Sequence, residues 1–348
     1  MYSFINDYSE GACPAILDKL TATNLEQTVG YGFDAHCQKA RRLIQAACQS
    51  HKAAVHFLIG GTQTNMTFIS AVLRPHEGVF GVVTSHINTH EAGAIERTGH
   101  KVIPIPSEDG KLTAQALEKA YTAYKDDPNR LHWVKPKMVY ISQPTELGTL
   151  YNKKELTSLH AYCKKEKLYL YIDGARLGYA LATPKNDITL PVLAKLCDAF
   201  YIGGTKCGAL LGEALVLISK DLQEDFFTLM KQAGAVLAKG RVVGMQFETL
   251  FTDNTYTAVC ANGITAAQKI AQALKAGGCT FLAKPETNQL FPILPNTVYA
   301  KLSKNFKLDL CGPVDKKHTA VRICTSWCTD ANEVAKLVAQ LHSFKTLK

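Results

Sequence analysis

Two apolar runs decide the fold of this chain: Leu168-Tyr-Leu-Tyr-Ile172, which stops at Asp173-Gly-Ala-Arg176, and Ala199-Phe-Tyr-Ile202, which stops at Gly203-Gly-Thr-Lys206. Short apolar runs bounded by glycine are typical of buried parallel strands. Ligands of open α/β sheets bind just beyond the carboxyl ends of the strands. The sequence therefore places a carboxylate, Asp173, and an amine, Lys206, where a ligand is expected.

These two residues together favour a particular chemistry. A lysine beside a carbonyl cofactor can form a Schiff base. A carboxylate that faces a pyridinium nitrogen keeps that nitrogen protonated and makes the ring an electron sink. Asp173 alone could be an ordinary strand-end carboxylate, and Lys206 alone could be a surface lysine. Their pairing at two strand ends predicts a cofactor site.

Strand-like and helix-like segments alternate from residue 38 to residue 220. The apolar runs lie at residues 53–59, 79–84, 101–105, 138–142, 168–172, 199–202 and 214–218. Amphipathic stretches, such as residues 113–124 and 153–165, separate them. This alternation predicts βα units around a mainly parallel, seven-stranded sheet, which is an α/β fold.

The rest of the chain has a different character. Residues 221–275 are predicted to be helical, strand-like runs follow at 297–302 and 320–325, and an amphipathic helix is predicted over 331–341. We therefore expect a short N-terminal segment, residues 1–20, ahead of two domains. A large cofactor-binding domain is expected over residues 21–250, and a small α+β domain over residues 251–348.

Composition limits the partners and the compartment. The net charge is +9, but lysine and arginine are dispersed and no nucleic-acid-binding motif accompanies them, so we expect no nucleic-acid partner. No apolar run has the length of a membrane span, and the N-terminal residues lack the pattern of a signal peptide. The 11 cysteines form no CxxC pair, which indicates reduced thiols and a cytoplasmic protein.

A glycine-rich turn offers a phosphate site. Gly60-Gly-Thr-Gln-Thr-Asn65 follows an apolar run and precedes a helix predicted over residues 66–73. The first N–H groups of a helix are unpaired and carry a partial positive charge, so they bind anions. Gly61 and Thr62 are the candidate phosphate donors, although many helices begin with such a pair as a plain cap.

Two histidines follow the next strand, in Ser85-His86-Ile-Asn-Thr-His90-Glu91. His86 and His90 are four residues apart and would share one face of a helix, which is a spacing that zinc sites use. The sequence offers no evident third ligand, so we expect no metal. The alternative for His90 and Glu91 is that both are solvent-exposed residues of a helix with no role in the site.

Two motifs resemble those of a known family. The stretches Ile172-Asp-Gly-Ala-Arg176 and Gly203-Gly-Thr-Lys-Cys-Gly-Ala-Leu-Leu-Gly-Glu213 resemble the core motifs of fold-type I pyridoxal phosphate enzymes. The nearest branch is the low-specificity L-threonine aldolase and β-eliminating lyase family, which includes phenylserine aldolases. The resemblance extends from about Asn6 to Trp327.

The resemblance implies a fold, a cofactor and a reaction. The fold would be aspartate aminotransferase-like, with a three-layer α/β/α large domain and a smaller α+β domain. The cofactor would be pyridoxal 5'-phosphate. The reaction would cleave L-threonine, L-allo-threonine or a related β-hydroxy-α-amino acid, such as phenylserine, to glycine and an aldehyde.

The resemblance also assigns roles to residues around the cofactor. Lys206 would carry it, Asp173 would face its ring nitrogen and His86 would stack on its ring. His86 could also accept the proton of the substrate hydroxyl group. Gly61 and Thr62 would hold the phosphate.

Further roles concern the substrate and neighbouring subunits. Arg176 would lie near the ring hydroxyl and phosphate side of the cofactor. Arg322 would bind the substrate α-carboxylate, because a guanidinium group donates two parallel hydrogen bonds. The N-terminal segment, residues 1–20, would contribute to the active site. By the same resemblance Ser9 and Tyr31 would contact the substrate, partly across a subunit interface, so a homodimer or homotetramer is expected.

Some positions carry weaker signals. Thr145 and Glu146 lie in Gln143-Pro-Thr-Glu-Leu-Gly148, a turn that relatives place near the cofactor. The residues Lys231, Lys239 and Arg241 occupy a region where relatives place basic side chains that reach a neighbour's phosphate. The sequence does not say which of the three corresponds.

Three alternative functions remain open at this stage. Another fold-type I reaction, transamination or β-elimination, could use the same residues and would differ in its products. A metal hydrolase could be built on His86, His90 and Glu91, and would be sensitive to chelators. A non-catalytic basic protein would bind nucleic acid in a salt-sensitive manner and would hold no cofactor.

Overall fold

The computed structural model describes residues 1–348. The strands are β1 (Tyr2–Ser3), β2 (Ala54–Leu58), β3 (Glu77–Val82), β4 (Val102–Ile105), β5 (Lys135–Ser142), β6 (Tyr169–Asp173), β7 (Ala199–Gly203), β8 (Glu213–Leu217), β9 (Thr280–Phe281), β10 (Gln289–Leu290), β11 (Pro292–Pro295), β12 (Phe306–Lys307), β13 (Asp309–Pro313) and β14 (His318–Cys324). The helices are α1 (Pro14–Ala22), α2 (Ala35–Ala47), α3 (Gly61–Val72), α4 (His86–Thr89), α5 (Ala94–Arg97), α6 (Ala114–Asp126), α7 (Lys153–Glu166), α8 (Leu177–Ala182), α9 (Leu190–Leu196), α10 (Phe226–Gln232), α11 (Arg241–Leu250), α12 (Thr255–Ala276), α13 (Asn296–Leu302) and α14 (Ala331–His342).

The seven apolar runs predicted as strands form a single seven-stranded sheet. Its order is β2-β8-β7-β6-β5-β3-β4. Strand β8 is antiparallel to both of its neighbours, and the other pairings are parallel. The prediction of a mainly parallel α/β sheet is therefore confirmed.

The sheet is covered by helices on both faces, and the strands are apolar for that reason. Successive side chains of a strand point to opposite faces. Leu170 and Ile172 of β6 accordingly pack in one apolar layer, and Tyr171 packs in the layer on the other face. All three are buried, as a strand covered on both sides requires.

The topology brings the carboxyl ends of six strands to one edge of the sheet. Strands β2 to β7 all run in the same direction, so their carboxyl ends meet there. Because β8 runs the opposite way, its first residue, Glu213, lies at the same edge. The polar residues that follow these strands are therefore brought together by the fold itself.

A second, smaller sheet lies in the C-terminal part. Strands β10, β14, β11 and β9 follow one another in it, and β13 pairs with β14. Helices α12 and α14 cover its apolar face through Ile270, Leu274 and Leu337. Phe4, from the N-terminal segment, is buried in the same core.

The prediction of a strand at 297–302 is wrong, because these residues form α13. Val298 and Tyr299 favour a strand by propensity, which is a weak preference that packing overrides. Val298 and Leu302 are four residues apart and both are buried, so one helical face packs on the small-domain core. The strand of this region is β11, which lies just before α13. The run predicted at 320–325 is confirmed as β14.

Helix α12 connects the two cores. Tyr256, Cys260 and Ile264 pack in the core of the large sheet, whereas Ile270 and Leu274 pack in the small-domain core. The expected boundary at residues 250 and 251 falls between α11 and α12. No helix combines the length and the apolar character that crossing a membrane requires.

Candidate active site

A cavity of about 450 Å³ opens at the edge where the strand ends meet. Five of the residues predicted for the cofactor lie in its wall together with Arg322 of the small domain. They are Gly61, Thr62, His86, Asp173 and Lys206. Arg176 lines the same cavity. The structure thus brings together every predicted cofactor residue.

Asp173 is the last residue of β6 and is buried at the floor of the cavity. It accepts hydrogen bonds from the Tyr140 hydroxyl at 2.5 Å, from Asn65 Nδ2 at 3.1 Å and from the backbone N–H of Ala175 at 2.9 Å. Burial raises the pKa of Asp173, but His86 and the hydrogen bonds from Tyr140 and Ala175 lower it by more, so the net pKa lies below its ordinary value. The carboxylate is therefore a fixed negative charge.

Lys206 follows β7 after the turn Gly203-Gly-Thr, and its backbone carbonyl accepts a hydrogen bond from the Tyr179 hydroxyl at 2.7 Å. Its Nζ lies 5.8 Å from the centre of the Tyr8 ring. Burial lowers the pKa of Lys206, and the charge of Arg176 lowers it further. A lower pKa increases the fraction of uncharged amine, which is the nucleophilic form.

Helix α3 presents its N-terminus to the cavity and begins five residues earlier than the sequence predicted. Gly60 stands at the N-cap position, and no side chain caps the helix. A Cβ at Gly61 would lie 2.9 Å from the Tyr201 hydroxyl, so only glycine leaves the first turn open. The free N–H groups of Gly61 and Thr62 can therefore reach an anion.

His86 is held by a buried carboxylate. Its Nδ1 lies 2.8 Å from Oε1 of Glu91, and Asn65 Nδ2 donates to the same oxygen at 2.8 Å. Tyr171 orients Asn65 by donating to its Oδ1 at 2.9 Å. An ionised carboxylate only accepts, so the proton sits on Nδ1 and Nε2 of His86 is left as an acceptor.

The histidine pair does not form a metal site. His90 lies just past the four-residue helix α4, and its ring centre is 5.6 Å from that of His86. No group of three or more histidine, cysteine or acidic side chains is arranged to hold a metal ion. Glu91, which the sequence analysis left as a solvated position, is buried and orients His86.

Arg176 is tied to the N-terminal segment. Its Nε and Nη2 donate to Oδ2 and Oδ1 of Asp7 at 2.7 and 3.1 Å, and Asn288 Nδ2 donates to Oδ2 at 2.9 Å. Burial raises the pKa of Asp7, but Arg176 lowers it more, so Asp7 is ionised. Because Nε and Nη2 of Arg176 are already paired with Asp7, Arg176 lines the cavity as one half of a buried ion pair. The sequence did not reveal this role.

Arg322 reaches the cavity from β14. Its Nη2 pairs with Oδ2 of Asp309 at 2.7 Å and donates to the carbonyl of Ile5 at 3.1 Å. Asp309 lies directly opposite Arg322 in the pairing of β13 with β14. The two contacts hold the guanidinium group in the cavity wall.

Two buried glutamates complete the wall. Glu213 accepts from the Thr205 hydroxyl at 2.9 Å and from the Gly204 N–H at 3.1 Å, and burial raises its pKa to about 8. Glu146 accepts from the Ser142 hydroxyl at 2.6 Å and from the backbone N–H of His86 at 2.9 Å. Burial also raises the pKa of Glu146. Glu213 was visible in the motif but had no predicted role.

The predicted substrate contacts Ser9 and Tyr31 do not line this cavity. The Ser9 side chain is exposed and donates to Asn6 Oδ1 at 3.0 Å, and the neighbouring Tyr8 lines the cavity instead. Tyr31 is half-exposed and packs under Lys231, whose Nζ lies 4.5 Å from the ring centre. For both residues, contact with a site across a subunit interface stays a prediction.

The other residues with weak sequence signals lie in two parts of the structure. Thr145 lines the cavity, but its hydroxyl is paired with that of Thr149 at 2.7 Å. Arg241 donates to the carbonyls of Thr23 and Asn24 at 2.9 and 3.3 Å, which fixes the loop before α2. Neither Lys239 nor Arg241 lines the cavity.

Similar structures define the class of fold. A Thermus thermophilus aspartate aminotransferase double mutant superposes with a TM-score of 0.72 at 12% sequence identity, covering 98% of this chain and 91% of that chain. At that identity the likeness shows the fold alone. The chain has the aspartate aminotransferase-like fold of the fold-type I enzymes.

Sequence comparison then gives the family. Residues 4–297 match the family described as "Beta-eliminating lyase", and the chain belongs to that family. A low specificity L-threonine aldolase of Pseudomonas sp. (strain NCIMB 10558) is 28% identical, over 98% of this chain and 97% of its own length. A solved structure of Leishmania major threonine aldolase is 45% identical, with a TM-score of 0.95 and 98% of each chain covered.

Proposed function

We propose that this chain is a pyridoxal phosphate-dependent aldehyde lyase that cleaves L-threonine, L-allo-threonine or a related β-hydroxy-α-amino acid to glycine and an aldehyde. The observation that carries the proposal is the juxtaposition of Lys206, Asp173 and the open N-terminus of α3 in one cavity. The relatives named as threonine aldolases support the same reaction.

The residues present fit pyridoxal phosphate. The uncapped first turn of α3, which a Cβ at Gly61 would obstruct, suits a phosphate group. Asp173 is kept ionised at the cavity floor and suits a protonated ring nitrogen. Lys206 is a buried amine with a lowered pKa, which suits covalent attachment to an aldehyde. His86 is the candidate for stacking on the ring.

Pyridoxal phosphate supplies, when bound, an aldehyde that takes up an amino group and a ring that accepts the electron pair of a broken Cα–Cβ bond. Asp173 would keep the ring nitrogen protonated and would so neutralise that charge. Lys206 would hold the cofactor through its side-chain amine, whose uncharged form is the nucleophilic one. Its lowered pKa makes this form available closer to neutral pH.

The chain's other residues act on the substrate. Arg322 binds the α-carboxylate and thereby orients the bond that is to break. His86 Nε2 accepts the proton of the β-hydroxyl group, whose loss allows the aldehyde to depart. Glu91 keeps the Nδ1 proton in place, so Nε2 stays available as the acceptor.

Compartment and assembly are also proposed. All eleven cysteines are free, and nine of them are buried, which suits a reducing compartment such as the cytoplasm. Leu25, Val29, Tyr31 and Phe33 form an exposed apolar stretch between α1 and α2. Such a stretch favours association, so we propose a homodimer or homotetramer.

The reaction is tested by its products. Purified protein loaded with pyridoxal phosphate is incubated with L-threonine, L-allo-threonine and phenylserine, and the aldehyde is measured in a coupled assay. We expect glycine and the matching aldehyde without any keto acid. If all three compounds are inert while an amino acid plus 2-oxoglutarate yields glutamate, the protein is an aminotransferase and the proposal is wrong.

A further inference from the structure

Gln289 is a buried amide with no partner. It lies in β10, it lines the active-site cavity, and it is 1% exposed. Neither its Oε1 nor its Nε2 makes a hydrogen bond within the chain. Buried polar side chains nearly always have partners. An amide left free in a cavity wall therefore points to a ligand group.

The backbone fixes where this amide lies. Gln289 pairs with Cys324 in the antiparallel register of β10 and β14. Arg322 is two residues from Cys324 along β14, so Gln289 and Arg322 are on the same face of the small sheet. Both residues line the active-site cavity.

A turn of the large domain holds β10 in this position. The Thr287 hydroxyl donates to the Gly148 carbonyl at 2.9 Å, and the Leu150 N–H donates to Glu286 Oε2 at 2.9 Å. A Cβ at Gly148 would lie 2.5 Å from the Gln289 carbonyl oxygen, so the turn and the strand are in close contact. Gln289 is therefore held at the junction of the two domains.

Arg322 has an unused donor in the same wall. Its Nη2 is occupied by Asp309 and Ile5, but its Nε is buried without a partner. The Nε of Arg322 and the Nε2 of Gln289 are thus two N–H donors without acceptors on one sheet face. A carboxylate has two oxygens and only accepts hydrogen bonds, so it suits this pair of donors.

We propose that Gln289 Nε2 donates a hydrogen bond to the α-carboxylate of the substrate, beside Arg322. The inference rests on the proposed function, because it takes the substrate to be an amino acid. Gln289 is thereby a substrate-binding residue that selects for an α-carboxylate. The β-hydroxyl group is assigned to His86, which lies on the large domain.

The test compares glycine with glycinamide, which has the same amine but no carboxylate. Their dissociation constants are measured by calorimetry on the cofactor-loaded protein, alongside KM and kcat for L-threonine. Gln289→Met keeps the length of the side chain and removes the amide. Gln289→Glu keeps its shape and replaces the donor with a negative charge. Gln115→Glu, on the exposed face of α6, is the control for charge.

We expect Gln289→Met to weaken glycine binding and raise KM about ten-fold, which is the effect of losing a hydrogen bond to a charged group. Gln289→Glu should weaken glycine binding and raise KM by about a hundred-fold or more, because the two carboxylates repel each other. Glycinamide binding and kcat should change less than about three-fold, because neither depends on a contact with the carboxylate. The control should behave as the wild type does.

Other outcomes overturn the inference. Unchanged glycine binding in both variants would show that the amide does not contact the carboxylate. Equal losses for glycine and glycinamide would show a structural effect. If Gln289→Met does not fold, Gln289→Asn decides, because its shorter amide should still raise KM without changing kcat. A wild type that binds glycine but cleaves no β-hydroxy amino acid would contradict the proposed function and leave the Gln289 contact intact.

Discussion

His86 and Glu91 show how one buried carboxylate defines the chemistry of a neighbouring side chain. The 2.8 Å contact to Nδ1 fixes which nitrogen carries the proton. The sequence placed both residues after one strand, but it gave no sign that Glu91 turns inward. That inward orientation depends on Asn65, which lies in α3 and donates to both Glu91 and Asp173.

We predict that Glu91→Gln lowers kcat about a hundred-fold and leaves KM nearly unchanged. The glutamine amide can donate to Nδ1 and so favours the tautomer in which Nε2 carries the proton, and a positioned base contributes roughly 10²–10⁴-fold to a rate. Steady-state kinetics on L-threonine measures the effect. Glu96→Gln, at an exposed position of α5, is the matched control. A variant with wild-type kcat would show that Glu91 does not act through His86.

Glu213 makes stability depend on pH in a defined direction. Burial raises its pKa in the folded protein to about 8, from an ordinary value of 4.5. Between these values the folded state binds more protons than the unfolded state, so stability falls as the pH rises. The slope for one group is at most about 1.4 kcal/mol per pH unit.

We therefore expect Glu213→Gln to gain stability relative to the wild type as the pH is raised from about 5 to 8. The glutamine keeps the hydrogen-bond geometry of the protonated acid and cannot ionise. Urea unfolding of both cofactor-free proteins at several pH values provides the measurement. A difference between the two that is constant across this range would mean that Glu213 ionises normally.

At the scale of elements, the strands of the large sheet could be predicted from the sequence, but the start of α3 and the helical state of α13 could not. Each strand of the large sheet is a short apolar run bounded by turn residues, so its identity is local information. The start of α3 at Gly61 is not local. It depends on Tyr201, which lies on β7 and leaves no space for a side chain at residue 61. In the same way, α13 is a helix because the small-domain core accepts one of its faces.

The first turn of α3 gives a test at this scale. We predict that Gly61→Ala weakens pyridoxal phosphate binding at least about ten-fold, because the added methyl group meets the Tyr201 hydroxyl at 2.9 Å. Tyr201→Phe in the same protein should restore part of the affinity, since it removes the clashing oxygen. Affinity is measured by equilibrium dialysis of the cofactor.

Gly60→Ala is the matched control for that experiment. Its backbone is extended, which any residue adopts, and a Cβ there meets nothing within 4 Å. We expect it to bind the cofactor as the wild type does. If both glycine variants weaken binding equally, the cause is the loss of backbone freedom at the turn and not the contact with Tyr201.

At the scale of the whole molecule, the N-terminal segment connects the parts of the site. Phe4 is buried in the small-domain core, and Asp7 pairs with Arg176 beside the cavity. The Cys13 N–H donates to Gly208 at 2.8 Å, in the loop that follows Lys206. A segment without periodicity gives no sequence signal for such contacts. The pairing of Arg176 with Asp7 could therefore not be predicted from the sequence.

The apolar stretch between α1 and α2 leads to a prediction about assembly. Leu25 is 92% exposed and Val29 is 67% exposed, which is unfavourable unless another surface covers them. We expect sedimentation at assay concentration to show at least a dimer. Replacement of both residues by aspartate should shift the protein toward a monomer and reduce its activity. Leu131→Asp, at another exposed leucine, should do neither.

The central claim is that Lys206 is the residue that carries the cofactor. Borohydride reduction of the protein loaded with pyridoxal phosphate, followed by peptide mass mapping, tests it most directly. The account predicts one pyridoxyl adduct, on Lys206, and no adduct in Lys206→Ala. An adduct on another lysine of the active protein, such as Lys231 or Lys239, would contradict the assignment.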